Sequence, residues 1–327
     1  MESNVRVLKA LGAWLFLVLL GVAAAAVTIA LVNKYMYGPE TDVRAYLEDL
    51  RDGDGGEALG LLNARVPEAN AAMLDGDPLE AAAEDLEDLE VSTVSEDGER
   101  AVVRADYTLD GEPHSSEFAL HPVDTQWGFF TVWAFDETPL PTVTVSLPGA
   151  TSVDMNGMSV ALPESSAEFS AFFPGVYTAS YTSELVAADP VRTVLTDPGQ
   201  QAEIVLEARP TEALEQEVDR QLKEHLDGCA GQGSLFPSGC PFSFEFDGRV
   251  SGDVEWTIES YPDPEIVVGA EGGRGWALEP AQGTARIAFD SLDLFTGDVE
   301  RLERTVPFEV AADLDIDGST VRVDPRG

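Results

Sequence analysis

The feature that most constrains this chain is an uncharged apolar run over residues 10–32. The run reads ALGAWLFLVLLGVAAAAVTIALV, twenty-three residues without Asp, Glu, Lys or Arg. A helix of that length covers roughly 34 Å at about 1.5 Å per residue, and the hydrocarbon core of a bilayer is about 30 Å thick. The sequence therefore predicts a transmembrane helix at residues 10–32, preceded by a tail of residues 1–9.

A cleaved signal peptide is the alternative interpretation of the same run. Residues 23–26 are four alanines of the kind found at cleavage sites, but the run continues past them to Val32 without a turn-forming residue. This continuity favours an uncleaved, single-pass signal anchor.

The charges that flank the predicted anchor do not clearly determine its orientation. Arg6 and Lys9 precede the run and Lys34 follows it, so the positive-inside rule gives nearly a tie. The short tail and a spaced cysteine pair in the large part favour a cytoplasmic N-terminus. The predicted location is the plasma membrane, with the C-terminal domains extracytoplasmic in the cell envelope and the membrane contacted through the N-terminal helix.

The charge of the chain restricts its partners. It has 327 residues with 60 Asp and Glu against 19 Lys and Arg, for a net charge of −41. Such a surface repels nucleic acids and anionic lipids and attracts basic partners. We therefore expect no nucleic-acid partner.

Residues 38–137 form the first predicted folded unit. Thr41 is a suitable N-cap, and a helical stripe of apolar residues follows it. This helical stripe consists of Val43, Tyr46, Leu47 and Leu50. Further along the chain the hydrophobic period changes to two, which is typical of strands. Helices followed by three or four antiparallel strands predict an α+β unit.

The segments YLEDLRDGD and WGFFTVW of this unit resemble the NTF2-like, or cystatin-like cone, superfamily. The resemblance implies a curved sheet wrapped on helices. It also implies a cavity that the aromatic residues of the last strand could line. The candidate cavity-lining residues are Trp127, Phe129, Trp133 and Phe135, and packing into the core is the alternative role for them.

Residues 138–209 are predicted to form a small all-β sandwich module. Asn156-Gly157 stands between short apolar segments and favours a type I′ hairpin turn. The arrangement VDMNGMSV followed by FFPGVYTASY is similar to envelope modules of the PEGA type. That resemblance implies a spacer or binding module.

Residues 210–327 are predicted to form a second α+β unit, with one helix and then an antiparallel sheet. Thr211 is a suitable N-cap for the helix. In the order of its three units, and in the segment that contains CA and PSGCPF, the chain is similar to Gram-positive and actinobacterial single-pass envelope proteins. These are related to the teicoplanin-resistance-associated membrane protein family. That family carries a cytoplasmic four-cysteine ribbon, which the nine residues before the apolar run here cannot supply.

Cys229 and Cys240 are the only cysteines of the chain. In an oxidising compartment a disulfide is the default expectation for such a pair. A metal site is the alternative, because His225 lies four residues before Cys229, on the same face of the predicted helix. Zinc usually takes four ligands, and the nearby sequence offers no fourth. A Cys229–Cys240 disulfide is therefore predicted.

One segment matches the first half of a calcium-binding loop. It consists of Asp313, Asp315 and Asp317 followed by Gly318, and Asp324 stands at the twelfth position. However, the apolar residues between the aspartates alternate as in a strand, which makes the aspartates its solvent face. The sequence thus offers only a weak calcium site and predicts no metal or cofactor.

Catalytic signatures are absent from the sequence. It has no G-x-S-x-G, no H-E-x-x-H, no phosphate-binding loop and no dinucleotide fingerprint. We therefore expect a non-enzymatic protein that binds or scaffolds an envelope protein or a cell-wall polymer. The alternatives are a carrier or sensor of small apolar ligands and an unrecognised cell-wall hydrolase.

Overall fold

The computed structural model describes residues 2–126, 130–268 and 275–326. Among the residues that the structure describes the fold is mostly β, with 48% in strands and 23% in helices. The sequence predicted a transmembrane helix followed by an α+β unit, a small all-β unit and a second α+β unit. This predicted fold class is therefore wrong. Strand length is one physical reason, because β17 (Trp276–Leu292) and β18 (Val299–Asp317) have 17 and 19 residues.

Helix α1 (Glu2–Met36) contains the apolar run. No helix within the described residues is long and apolar enough to cross a membrane. On this finding the predicted transmembrane helix at residues 10–32, the single-pass signal anchor and the plasma-membrane location are wrong.

Three helices and a four-stranded antiparallel sheet follow α1. The helices are α2 (Pro39–Asp52), α3 (Gly55–Leu61) and α4 (Asp77–Ala83). The sheet has the order β2 (Glu87–Glu96), β3 (Ala101–Leu109), β4 (Glu112–Gln126) and β5 (Phe130–Phe135). A two-residue strand β1 (Ala64–Arg65) pairs in parallel with β6 (Thr138–Pro139). The helices and sheet enclose a shared apolar interior.

Helix α2 forms where its apolar stripe predicts, but its N-cap residue is Gly38, so the predicted N-cap at Thr41 is wrong and Thr41 lies within the first turn. Pro39 lies in its first turn, where a missing N–H costs nothing, and the predicted apolar stripe is fully buried. The helix ends at Gly53, which adopts φ +72° and whose N–H bonds to the carbonyls of the last turn. This left-handed cap favours glycine because a Cβ would be strained there.

Eight strands form two sheets in the middle of the chain. The three-stranded sheet has the order β10 (Ser166–Ser170), β7 (Thr142–Ser146) and β13 (Gln201–Val205). The five-stranded sheet has the order β14 (Arg209–Pro210), β12 (Val186–Leu195), β11 (Gly175–Thr182), β8 (Ser152–Met155) and β9 (Met158–Ala161). The turn between β8 and β9 has positive φ at both Asn156 and Gly157, as a type I′ turn requires.

The first unit and the middle strands share one hydrophobic core. Tyr46 of α2 lies fully buried there, and its hydroxyl donates to the carbonyl of Phe173 at 2.6 Å. The Phe118 ring stacks on Phe173 with centroids 5.5 Å apart. Across the predicted boundary at residues 137 and 138 the core is thus continuous. The division into separate domains remains a prediction.

The last part of the chain contains helix α5 (Glu212–Ala230) and a long-stranded sheet. The sheet has the order β15 (Arg249–Ser260), β17, β18 and β19 (Thr320–Arg326), and β16 (Ile266–Val268) also pairs with β17. Strand β17 is continuous through Pro280 because a register shift between Leu278 and Ala281 forms a bulge that accommodates the proline.

Residues 242–247 carry phenylalanines at alternate positions, a pattern typical of a strand, but they form no strand. Their alternating phenylalanines pack on the sheet without joining its ladder. Phe242 contacts the Trp256 ring at 4.8 Å between centroids, and Phe246 contacts Phe289 at 4.9 Å. The alternation therefore reflects aromatic packing rather than strand pairing.

The stability of the protein is expected to fall as the pH rises above about 10. Burial raises the pKa of Tyr46 well above its usual value, and it raises the pKa of Tyr107 to about 12. The folded state therefore holds these protons more tightly than the unfolded chain, whose tyrosines titrate near 10. Their contribution is complete below that pH and is lost as the pH rises through the folded-state pKa values.

Urea unfolding between pH 9 and 11 checks this expectation. The free energy of unfolding should decrease by about 1 kcal/mol per buried tyrosine between pH 10 and 11. The Tyr46→Phe variant, which lacks one titrating hydroxyl, should show a correspondingly shallower decrease. An equal slope in both proteins would contradict the role given to Tyr46.

Candidate functional site

The predicted disulfide is confirmed. Cys229 and Cys240 are bonded, with their Cα atoms 5.7 Å apart. Within the loop, the Gln232 side chain donates to the Ser238 carbonyl and accepts from the Ser238 N–H at 3.0 and 2.7 Å. The indole N–H of Trp256 donates to the Ser234 carbonyl at 2.7 Å. The bridge therefore closes a loop at the end of α5, and the Trp256 hydrogen bond holds that loop against β15.

The four candidate calcium ligands are placed as the alternating pattern suggested. Asp313, Asp315 and Asp317 lie along the exposed side of β18, and Asp324 lies on β19. Asp315 pairs with Arg322 at 2.9 Å and Asp324 with the same guanidinium at 3.4 Å, while Asp313 pairs with Arg326. Among the described residues no group of three or more His, Cys, Asp or Glu side chains is arranged to hold a metal ion.

The four aromatic residues predicted to line a cavity do not meet in a described one. Trp127 and Phe129 lie outside the described residues. Phe135 is 1% exposed and packs edge-on against Tyr46, with centroids 5.9 Å apart. Trp133, at 7% exposed, is one wall of an open surface cleft of about 620 Å³ beside the start of α2.

A histidine–carboxylate pair lies at the end of the first sheet. His121 Nδ1 is 2.7 Å from Asp136 Oδ1, and Arg100 lies 3.4 Å from the other oxygen of the carboxylate. Acyl transfer would also need a nucleophile hydrogen-bonded to this histidine. No hydroxyl or thiol of the described residues occupies that position. We therefore interpret His121, Asp136 and Arg100 as a polar cluster at the surface.

A concave groove of about 680 Å³ lies beside α5. Helix α5 forms one wall and the segment 263–268 forms the other. Residues 208–210, at the end of the middle strands, also line it, and Trp276 of β17 lies at its base. We call this site the junction groove, because it lies where the middle strands meet the last sheet.

The base of the junction groove is apolar. Val218 and Leu222, one turn apart on α5, are almost fully buried and line it together with Ile266 and Trp276. Val218 packs in a cluster that also contains Leu278, Ala312 and Leu314 of the sheet, with Ile266 and Trp276 at its margin.

Three contacts hold α5 in place, so the groove is preformed. Thr211 caps the helix by accepting from the Leu214 N–H and donates to the Glu184 carbonyl at 2.7 Å. The Gln221 amide donates to the Val321 carbonyl at 2.8 Å. At the far end the Tyr261 hydroxyl donates to Asp227 at 2.5 Å, and this hydrogen bond raises the pKa of Tyr261.

The rim of the groove is acidic. Glu215, Asp219, Asp263 and Glu265 line it, and Arg209 is its one cationic lining residue among those described. Arg209 is already paired with Asp189, and Asp219 is paired with Lys223 at 2.6 Å. The carboxylates of Glu215, Asp263 and Glu265 have no ion pair with any described side chain. The rim therefore carries uncompensated negative charge.

No pattern in the sequence indicates that α5 and residues 263–268 face one another. The apolar residues of α5 that line the groove and the strand at Ile266 are about fifty residues apart in the chain. The alternation of proline and acidic residues at Pro262, Asp263 and Pro264 was the signal that could have marked an edge position, because proline is confined to sheet edges and bulges.

Comparison of the chain with family models, curated proteins and solved structures finds no match. The resemblances to NTF2-like and PEGA-type units and to the teicoplanin-resistance-associated family therefore stay predictions. The function must be argued from the geometry of this chain alone.

Proposed function

We propose that this is a non-enzymatic binding protein that holds a basic partner protein in the junction groove. The observation that carries the proposal is the combination, in one preformed groove, of an apolar base and an uncompensated acidic rim. Binding sites are typically concave and apolar, with a few polar groups that set specificity. Here those polar groups are carboxylates, which select a partner with Lys or Arg beside apolar side chains.

The charge of the whole chain supports the same kind of partner. With a net charge of −41, the protein attracts basic molecules over distances longer than the groove itself. Electrostatic complementarity of this kind raises association rates and discriminates against acidic partners. We expect binding to weaken with increasing salt, because exposed ion pairs are screened.

The packing of the first unit favours this function over the carriage of a small apolar ligand. An NTF2-like cavity would lie between the helices and the sheet. That space is occupied by Tyr46, Phe118, Phe135 and Phe173, all nearly or fully buried. The junction groove, in contrast, is open along its length and suits a polymer segment better than an enclosed small molecule.

Neutralising the unpaired rim should weaken binding of a basic peptide by about tenfold. The variant is Glu215→Gln, Asp263→Asn and Glu265→Gln combined. The probe is a decapeptide of alternating Lys and Val, titrated into the full chain by calorimetry at low salt. Exposed ion pairs contribute about 0.2–1 kcal/mol each, so three of them give a loss of roughly this size.

A matched triple variant controls for net charge. Glu68→Gln, Glu112→Gln and Glu300→Gln change the charge by the same amount at exposed sites outside the groove. This protein should bind the peptide nearly as well as the wild type. An equal loss in both triple variants, or no binding by the wild type, would refute the proposed function.

A further inference from the structure

We infer that the partner segment binds as an additional β-strand on the free edge of β16, an inference that rests on the proposed function. Strand β16 is paired with β17 on one side, and no strand of the described chain pairs with its other side. An unpaired edge presents backbone donors and acceptors to any extended chain that reaches it.

The register of the β16–β17 pair identifies the backbone N–H and C=O groups of β16 that can bond an added strand. Ile266, Val267 and Val268 oppose Leu278, Ala277 and Trp276. The Glu279 N–H donates to the Glu265 carbonyl at 2.9 Å, so Glu265 belongs to a hydrogen-bonded pair with β17. Bonded and non-bonded pairs alternate in an antiparallel ladder. The N–H and C=O groups of Ile266 and Val268 therefore point away from β17, toward the free edge.

The sequence around β16 limits this edge to a short docking site. Pro262 and Pro264 lack N–H donors, so the ladder of an added strand cannot continue far toward β15. Pairing there is confined to the few residues beside the junction groove. An added strand would consequently be positioned by β16 and held by the groove.

Side chains of an added strand alternate between two directions, which specifies the partner chemistry. On one side they would contact the apolar base at Val218 and Trp276. On the other they would approach the carboxylates of Asp263 and Glu265. The expected partner is an extended segment in which apolar residues alternate with Lys or Arg.

A second copy of this chain is a less suitable occupant of the edge. Two copies would bring their acidic rims together, and each chain carries a net charge of −41. Like charges placed opposite each other are destabilising. A basic segment of a different protein removes that repulsion.

Backbone N-methylation of the probe tests strand addition directly. Two versions of the alternating Lys/Val decapeptide are prepared, one methylated on the Val amides and the other on the Lys amides. Successive residues of a strand direct their N–H groups to opposite edges, so only one set of amides can pair with β16. One isomer should bind at least tenfold more weakly than the other in calorimetry with the full chain.

A protein variant tests the other side of the same contact. Val268→Pro removes a donor at the free edge but no bond of the β16–β17 ladder. It should weaken binding at least tenfold more than Val268→Ala, which removes side-chain contact alone. A melting temperature close to that of the alanine variant establishes that the proline variant is folded.

The outcomes separate the two proposals. If the unmethylated peptide binds but both isomers bind equally, strand addition is overturned while the binding function stands. If the unmethylated peptide does not bind at all, the proposed function itself fails. A dimer of the unliganded chain in sedimentation that Val268→Pro dissociates would show that a second copy occupies the edge, and would overturn the inferred partner.

Discussion

Replacing Tyr46 by alanine is expected to lower the free energy of unfolding by about 3–5 kcal/mol, the usual cost of removing a buried aromatic side chain. Tyr46 is fully buried at the centre of the shared core. Its ring lies within 5.7 to 6.5 Å of four other aromatic rings, measured between centroids. Its removal leaves a cavity that these rigid rings cannot easily fill.

Chemical denaturation followed by circular dichroism measures this loss of stability, and two further variants serve as comparisons. Tyr46→Phe keeps the ring and removes the hydroxyl that donates to Phe173, which should cost about 1–3 kcal/mol because the carbonyl stays buried without its partner. Phe295→Ala, at the fully exposed tip of the β17–β18 hairpin, should change stability by less than about 0.5 kcal/mol. A similar loss in the Phe295 variant would argue against the core assignment.

The effect of Tyr46→Ala should extend to the middle strands. Tyr46 belongs to α2, whereas Phe172 and Phe173 precede β11. Because they pack in one core, the Tyr46→Ala change should destabilise residues 142–205 together with the first unit. Hydrogen exchange should show increased opening in both regions. Faster exchange confined to the first unit would mean that the two regions unfold independently.

Removing the Cys229–Cys240 disulfide is expected to cost about 3 kcal/mol in the chain-entropy model for a loop of this length. The variant is Cys229→Ala with Cys240→Ala. The two cysteines are 11 residues apart and the loop they close contains three glycines, so the reduced loop would gain much conformational freedom on unfolding. The loss of stability should be concentrated in the end of α5 and in the loop that the bridge closes.

Reduction provides the control for the disulfide prediction. A thiol reductant should lower the unfolding midpoint of the wild type to nearly that of the double alanine variant, and should leave the variant unchanged. A wild type whose midpoint is unaffected, although mass spectrometry shows two free thiols, would refute the predicted contribution. The peptide affinity of the reduced protein then reports whether the bridge also supports the junction groove through α5.

Several local features of this protein followed from neighbouring residues alone. The Asn156-Gly157 turn was predicted because few residue pairs adopt positive φ at two successive positions. The cap at Thr211 and the apolar stripes of α2 and α5 were equally recognisable. The disulfide followed from a pair of cysteines with no other thiol to bond. Each of these depends on interactions within about a dozen residues.

The long strands and the membrane prediction show where local patterns were insufficient. Pro280 lies inside β17, and only the pairing with β18 shows that a bulge lets the strand continue through it. Phenylalanines alternate at residues 242–247 as they do in strands, although these side chains pack through ring contacts without strand pairing. Residues 10–32 were expected to cross a membrane, and no described helix qualifies.

The sequence by itself determined the elements whose cause is local: helix stripes, caps, tight turns, a disulfide and a strongly acidic surface. Only the tertiary structure decided which of them meet. It merged the first unit with the middle strands through Tyr46 and Phe173, and it placed α5 opposite the unpaired edge of β16. The physical reason is that core packing and sheet pairing join residues far apart in the chain, and no local pattern encodes which distant surface will complete a contact.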